Sequence, residues 1–479
     1  MTTDALALPT PIERAAECER FRELARAALE RKGHAAVAVL SVPAPLVPVE
    51  ELLGLRSGDA LLWAPPDGLQ LAGLGSAREI TARGSARFGD VRRAAEELWR
   101  DVCLVKIQDA PAPRLLGGFA FQPQRAREVP WDVFGEARFV LPRIGYVRDE
   151  RRAWLSLSIG RDELSIDLFR GVWNDLERLR HELLRRSETD FGEVSRAAAA
   201  PRLQAVQERP LSEWVALVEA IRAQIASGRF EKIVAARRAV LELDPAPDPV
   251  RVLGRLRVLA KTSTRFAVRR GSACFLGATP ERLLSRRGRA VETEALAGSI
   301  RSGDAARARE LLESRKERGE HAFVVRGLID SLGPLAESIQ HPGVPVVREL
   351  RHVYHLWTPL RALLNEPHHV LELIERVHPT PAVGGLPARA ALDWIFRHEP
   401  DERGWYAGPV GWFDAEGDGE FAVALRSGVL DGERAHLYAG AGIVGASDAL
   451  CEWAETRLKL ASLVSGLGLR PDVFGQEVS

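Results

Sequence analysis

Between Gly419 and Leu430 the chain reads GEFAVALRSGVL, and its polarity alternates residue by residue. Side chains of a strand point alternately to opposite faces. Phe421, Val423 and Leu425 therefore share one face, and Ala422, Ala424 and Arg426 the other. The alternation predicts a strand and hence a sheet. Beside the two alanines, the Arg426 guanidinium has room to grip a carboxylate with two donors, although the same pattern also suits a surface arginine. RFEKIVAARRAV (229–240) predicts a second strand, anchored by Ile233 to Ala236, with Lys232 at its head and Arg237 and Arg238 closing it. AAVAVLSVPAP, AWLSLSIG and LLGGFAFQP read as further strands.

Helical periods lie between them. LSEWVALVEAIRAQIASGRF puts Trp214, Leu217, Val218, Ile221 and Ile225 on one stripe, with Ser212 as N-cap and Gly228 as stop. ASDALCEWAETRLKLASLVSGLGL predicts a helix capped by Asp448 or Ser447. SETDFGEVSRAAAAPRLQAVQERP, less patterned, reads as a connector between an N-terminal lobe (1–205) and a second region (206–470).

Lys plus Arg equals Asp plus Glu at 66 each, so charge gives no reason to expect nucleic acid or a membrane surface as partner. The four cysteines are far apart and form no CxxC pair, which suits free thiols in a reducing cytoplasm. The start of the chain lacks the pattern of a secretory signal, and no apolar run reaches the roughly 18 residues of a membrane span. GxxxxGK[ST] and HExxH are both absent.

Glu452, Glu455 and Lys459 share a helix face, and ARELLESRKERGEHAFVVRGLIDSL predicts a helix carrying Glu317, Glu320 and His321. Either face alone is what a solvated helix shows. Carboxylates from two helices are also what Mg2+ prefers, as a hard cation that shares its ligands with an anionic substrate. In YAGAGIVGAS, Gly440 and Gly442 allow backbone N–H groups to approach an anion, or simply make a turn. HPTPAVGG (378–385) predicts an irregular loop able to wall a small pocket.

Ten blocks then occur in order: FEKIVAARR, FLGATPERLL, ALAGSIRSG, SRKERGEHAFVV, LWTPL, HPTPAVGGLP, YAGPVGWF, FAVALRSGVL, YAGAGIVGASD and CEWAETRLKL. Together they resemble the chorismate-utilising enzymes over about residues 210 to 465, and most of all the isochorismate synthases of menaquinone and plant type. The resemblance implies an α+β fold of two lobes, with packed antiparallel sheets, outer helices and the site in a cleft. Mg2+ is the implied cofactor and chorismate the implied substrate. Lys232 matches the base that activates water, and Glu281 the acid that protonates the departing hydroxyl. Ala297 stands where aminodeoxychorismate synthases carry a nucleophilic lysine. No glutaminase motif is present, so a monomer without an amidotransferase subunit is implied.

Glu320 and Glu455 match direct magnesium ligands, and Glu452 one acting through water or one step further out. Arg426, Lys459 and the Gly440 backbone would hold the enolpyruvyl carboxylate. Gly298, Ser299, His355, Ala382, Val383 and Tyr406 would line the pocket. Gly384 departs from the serine, alanine or cysteine of many relatives. Salicylate synthase, which adds pyruvate elimination on the same scaffold, is the alternative activity; a silent chorismate-binding relative is the alternative of another class.

Overall fold

The computed structural model describes residues 11–105, 109–123, 129–187, 200–350 and 353–474. Two largely antiparallel sheets form the frame. The first runs from Val102–Val105 and Val37–Ala44 through Ala153–Gly160, Ala137–Arg148, Gln70–Ala82, Ala60–Ala64, Thr264–Arg270, Ala273–Thr279, Ser427–Asp431 and Arg434–Ile443 to Lys232–Asp244 and Arg202–Glu208. The second leaves the same Ala137–Arg148 strand through Leu115–Phe119, Pro409–Phe413, Gly419–Val423, Arg282–Arg287 and Ala290–Arg301 to Val353–Leu364. The shared strand and its partner Gln70–Ala82 are long, and Gln70–Ala82 changes register between Ser76 and Arg78 next to Gly75 at φ +62°. A bulge of this kind bends a strand, so one ribbon enters both sheets.

The central strands of the first sheet, such as Val37–Ala44, Ala60–Ala64, Ala153–Gly160 and Ala273–Thr279, are buried on both faces, which is why they read as near-continuous apolar runs. Val37, Val39, Leu61 and Trp63 join a core with Phe119, Leu360, Trp412 and Phe421 of the second sheet. Their neighbours Ala38, Leu40, Leu62 and Ala64 face a separate core under helices, with Leu29, Trp173, Leu256 and Leu463. Among the described residues, no helix is long and apolar enough to cross a membrane.

Four local expectations are corrected. GEFAVALRSGVL is two strands, Gly419–Val423 and Ser427–Asp431, because the chain turns at Ala424 to Arg426. Leu425 N–H donates to the Val423 carbonyl at 2.7 Å, and Arg426 takes a positive φ of 50°. Ser212 lies inside the helix Leu211–Ala226 and caps nothing; Pro210 holds the cap position, and Gly228 stops the helix at φ +76° as expected. The helix expected through Glu317 and Glu320 is two, Ala305–Glu313 and Arg315–Leu332, divided at Ser314. Within the segment read as a connector, Arg202–Glu208 is a strand that pairs with Lys232–Asp244, and residues 188–199 lie outside the described residues.

The C-terminal helix, Ala449–Leu467, is capped by Asp448, whose carboxylate accepts from the N–H groups of Leu450 and Cys451. At Ser314 the hydroxyl accepts from Glu317 N at 3.3 Å, starting the helix that carries Glu317 and Glu320. Ser314→Ala should lower stability by about 1 kcal/mol in urea unfolding, whereas Ser314→Asp should keep most of it.

Candidate active site

One cavity gathers the ends of both sheets and two helices. It encloses about 800 Å³, open solvent included. Its wall carries Glu281, Gly298, Ser299, Glu320, His355, Ala382, Val383, Tyr406, Arg426, Gly440, Glu452, Glu455 and Lys459. Every site residue expected from the sequence is therefore in the wall except Lys232. That side chain is fully buried and reaches the cavity through Glu320, whose Oε1 accepts from Lys232 Nζ at 2.7 Å.

Two glycines make room for this lysine. A Cβ on Gly442 would lie 2.7 Å from both Lys232 Cε and Glu320 Oε1, so the missing side chain is the space that the ion pair fills. A Cβ on Gly385 would lie 2.4 Å from the Lys232 carbonyl, where the 378–385 loop pairs with the lysine's strand. Gly384, the departure from the family pattern, accepts from Val234 N at 2.8 Å through its carbonyl; a Cβ there would sit 3.0 Å from Pro379 Cγ.

The loop is fastened from behind by two residues that the sequence reading missed. Arg403 and Glu399, 2% and 3% exposed, are paired at 2.5 Å. Arg403 Nη1 donates to the Val383 carbonyl and Nη2 to the Val234 carbonyl, both at 2.8 Å. Glu399 Oε1 accepts from Ala236 N at 2.8 Å. The i, i+4 spacing carries meaning only on a helix, and this segment is irregular, so no sequence signal marks the pair.

Lysines face the acidic side of the cavity. Lys459 Nζ lies 2.6 Å from Glu455 Oε1 and also donates to the Gly440 carbonyl at 2.9 Å. Gly440 thus positions Lys459 through its carbonyl. Lys316, given no role from the sequence, lies 3.6 Å from Glu452 and 3.7 Å from Glu317. Burial, then the Glu455 charge, push Glu452 up to about 7. Burial also works to raise Glu455, but Lys459 outweighs it and holds that carboxyl below its ordinary value. Among the described residues no three His, Cys, Asp or Glu side chains converge closely enough to hold a metal ion as they stand.

Glu281, also in the cavity wall, is 4% exposed. Burial first, then the charge of Glu294, push its carboxyl up to about 8, against the opposing pull of Lys232, Arg426 and Lys459. The apolar approach in FLGATPE behaves as expected. His355 is held well below its ordinary value by burial and by Arg426 and Lys459, so its ring is neutral. Arg426 Nη2 donates to His355 Nε2 at 3.4 Å, and a guanidinium cannot accept, so Nδ1 carries the hydrogen toward Ser299 Oγ at 3.0 Å. The positive φ of Arg426 is uncommon outside glycine and turns its side chain into the cavity wall. Gly298, at φ +75°, packs where a Cβ would be 2.8 Å from the Glu317 carbonyl. Tyr406 stacks on Tyr438 and stays protonated, its hydroxyl pushed by burial up to about 12.

His321, on the same helix as Glu320, faces away from this chemistry. Nδ1 donates to the Ala297 carbonyl at 3.3 Å and Nε2 accepts from Thr358 Oγ1 at 2.7 Å, which locks the helix to the second sheet. Arg403→Met should cost about 3–5 kcal/mol in urea unfolding, because Glu399 is left buried and uncompensated. Replacing both partners by apolar residues should cost less than Arg403→Met alone.

Compared with models of known protein families, residues 23–468 match the family described as chorismate binding enzyme. A Pseudomonas aeruginosa protein named salicylate biosynthesis isochorismate synthase is 39% identical over 422 residues, 86% of this chain and 85% of that one. The Bacillus subtilis isochorismate synthase MenF is 33% identical over 432 residues, 86% and 88% of the two chains. The solved structure of MenF, the menaquinone-specific isochorismate synthase from Escherichia coli, aligns with a TM-score of 0.74 at 25% identity, covering 93% of this chain and 99% of that one. The chain belongs to the chorismate-binding enzymes, among the isochorismate synthases of that family.

Proposed function

We propose that this chain is a magnesium-dependent isomerase that converts chorismate to isochorismate. Water adds at C2 of the ring and Lys232, in its neutral amine form, takes its proton, while Glu281 gives a proton to the hydroxyl leaving C4. One hydroxyl is gained and one lost, so no further reactant is required. The observation that carries the reading is Glu281: a buried carboxyl raised to about 8 keeps its proton at neutral pH, in a cavity whose other groups suit an anionic ring.

Arg426 and Lys459 would hold the enolpyruvyl carboxylate, with the Gly440 carbonyl orienting Lys459. Gly298, Ser299, His355, Ala382, Val383 and Tyr406 would form the rest of the pocket. Ala297, which also lines the cavity, offers no amine for covalent attachment, in keeping with water as the nucleophile. The enzyme acts as a monomer and needs no glutaminase subunit.

Glu320, Glu452 and Glu455 suit Mg2+ because all three offer oxygen to one cavity. Burial, then the neighbouring Glu455 charge, raise Glu452 to about 7, and a bound cation would offset that charge. When bound, the ion would supply positive charge for the ring carboxylate. Motif resemblance directs the product to menaquinone assembly. A second route, to salicylate or a catechol siderophore, is favoured by the likeness to the Pseudomonas protein. Inactivating the gene separates the two: menaquinone is lost in the first case, the siderophore precursor in the second.

Lys232→Ala and Glu281→Gln should lower kcat by about a hundredfold or more while the circular dichroism spectrum is retained. Wild-type kcat in either variant would refute its role. Glu281 must be protonated to act, and its form with the proton prevails below about 8. The rate should therefore fall above that pH. Glu320→Gln and Glu455→Gln should shift the magnesium titration of activity to higher concentration. Incubation with chorismate and Mg2+ should yield isochorismate; fluorescent salicylate and free pyruvate, formed without a lyase, would show salicylate synthase instead.

A further inference from the structure

The carboxylate of Glu294 is mostly buried, with 12% of its side chain exposed, and no role falls to it in the reaction above. It is held on several sides. Trp357 Nε1 donates to Oε2 at 2.7 Å, and Arg348 Nη1 lies 3.2 and 3.3 Å from the two oxygens. The backbone N–H of Arg282, the residue after Glu281, donates to Oε1 at 2.8 Å. The Trp357 and Arg282 bonds reach different oxygens and fix the plane of the group. Glu294 and Trp357 come from adjoining strands of the second sheet, Ala290–Arg301 and Val353–Leu364, in which Glu294 pairs with Pro359. The anion is therefore fastened to the peptide that leaves the acid, on a rigid frame.

We propose that Glu294 is a positioning residue for the isomerisation: a fixed anion behind Glu281 that keeps the acid loaded with its proton through the neutral range. The inference rests on the acid role assigned to Glu281. Its physical basis is that a nearby like charge disfavours ionisation. The groups acting on Glu281 are Glu294 from the second sheet, Lys232 from the first, Arg426 at the turn between Gly419–Val423 and Ser427–Asp431, and Lys459 from the C-terminal helix. Tyr406 also faces it and stays neutral. The three cations favour the carboxylate and so favour release of the proton too early. Among these groups Glu294 alone is an anion, and it stands second only to burial in raising Glu281.

The test is the pH profile of kcat/KM for Glu294→Gln, which keeps the shape and an oxygen for the Arg282 N–H but removes the charge. The basic limb, at about 8 in the wild type, should move to lower pH by about one unit. Near pH 6 the variant should approach wild-type activity, and at pH 8 it should fall several-fold behind. Glu294→Asp, which keeps the charge but withdraws it by one methylene, should give a smaller shift in the same direction and carries the test if the glutamine variant fails to fold. A merely structural role would lower activity at all pH values without moving the limb. An unmoved limb in a folded variant overturns the proposal when Glu281→Gln is inactive. An active Glu281→Gln overturns the acid assignment itself, and this proposal with it.

Discussion

The ion pair of Arg403 and Glu399 is the constraint on which the site depends. Both groups are out of water, which costs several kcal/mol per ion unless their hydrogen-bonding capacity is filled. Here it is largely filled: the guanidinium serves Glu399 and two backbone carbonyls, and the carboxylate also takes the Ala236 N–H. The carbonyls belong to Val234 and Val383, one on the strand of Lys232 and one on the loop that walls the cavity. One planar cation thereby fixes the distance between two segments far apart in the chain. Gly385 sets how closely they meet, and Lys232 lies at that junction.

From this junction the cavity divides by charge. On one side stand Glu320, Glu452 and Glu455, each near an ammonium group. On the other, Glu281 is surrounded by buried surface and by cations that do not pair with it directly. The same residue type thus occurs as an ionised, paired carboxylate at Glu455 and as a protonated acid at Glu281. Environment alone makes the difference, which is the pattern expected where acid and base work must be divided. Lysines opposite carboxylates also explain how so many acidic groups tolerate partial burial.

Much of this was legible in the chain. The strand at Lys232, the capped helix carrying Glu452, Glu455 and Lys459, and the stop at Gly228 follow from local period and capping chemistry. The ordered blocks brought the cavity residues together through their resemblance to the chorismate-utilising enzymes. The alternating stretch around Arg426 misled. Period two continues through Ala424 to Arg426, but those residues form a turn whose positive φ a non-glycine residue adopts only when its surroundings impose it. At Gly442 the volume left to Lys232 and Glu320 is a role that no neighbour in sequence reveals.

By itself, the sequence determined which segments extend and which coil, and which residue types stand at the cavity. The first depends on side-chain period, on caps and on backbone freedom, all local; the second came from the resemblance of the ordered blocks to the chorismate-utilising enzymes. Only the tertiary structure decided which lysine faces which glutamate, that Lys232 lies behind the cavity wall, and that Arg403 and Glu399 clamp the loop. It also decided that Glu281 keeps its proton. Burial and electrostatic partnership are properties of space: they arise where strands from both ends of the chain meet, and no short window of sequence contains them.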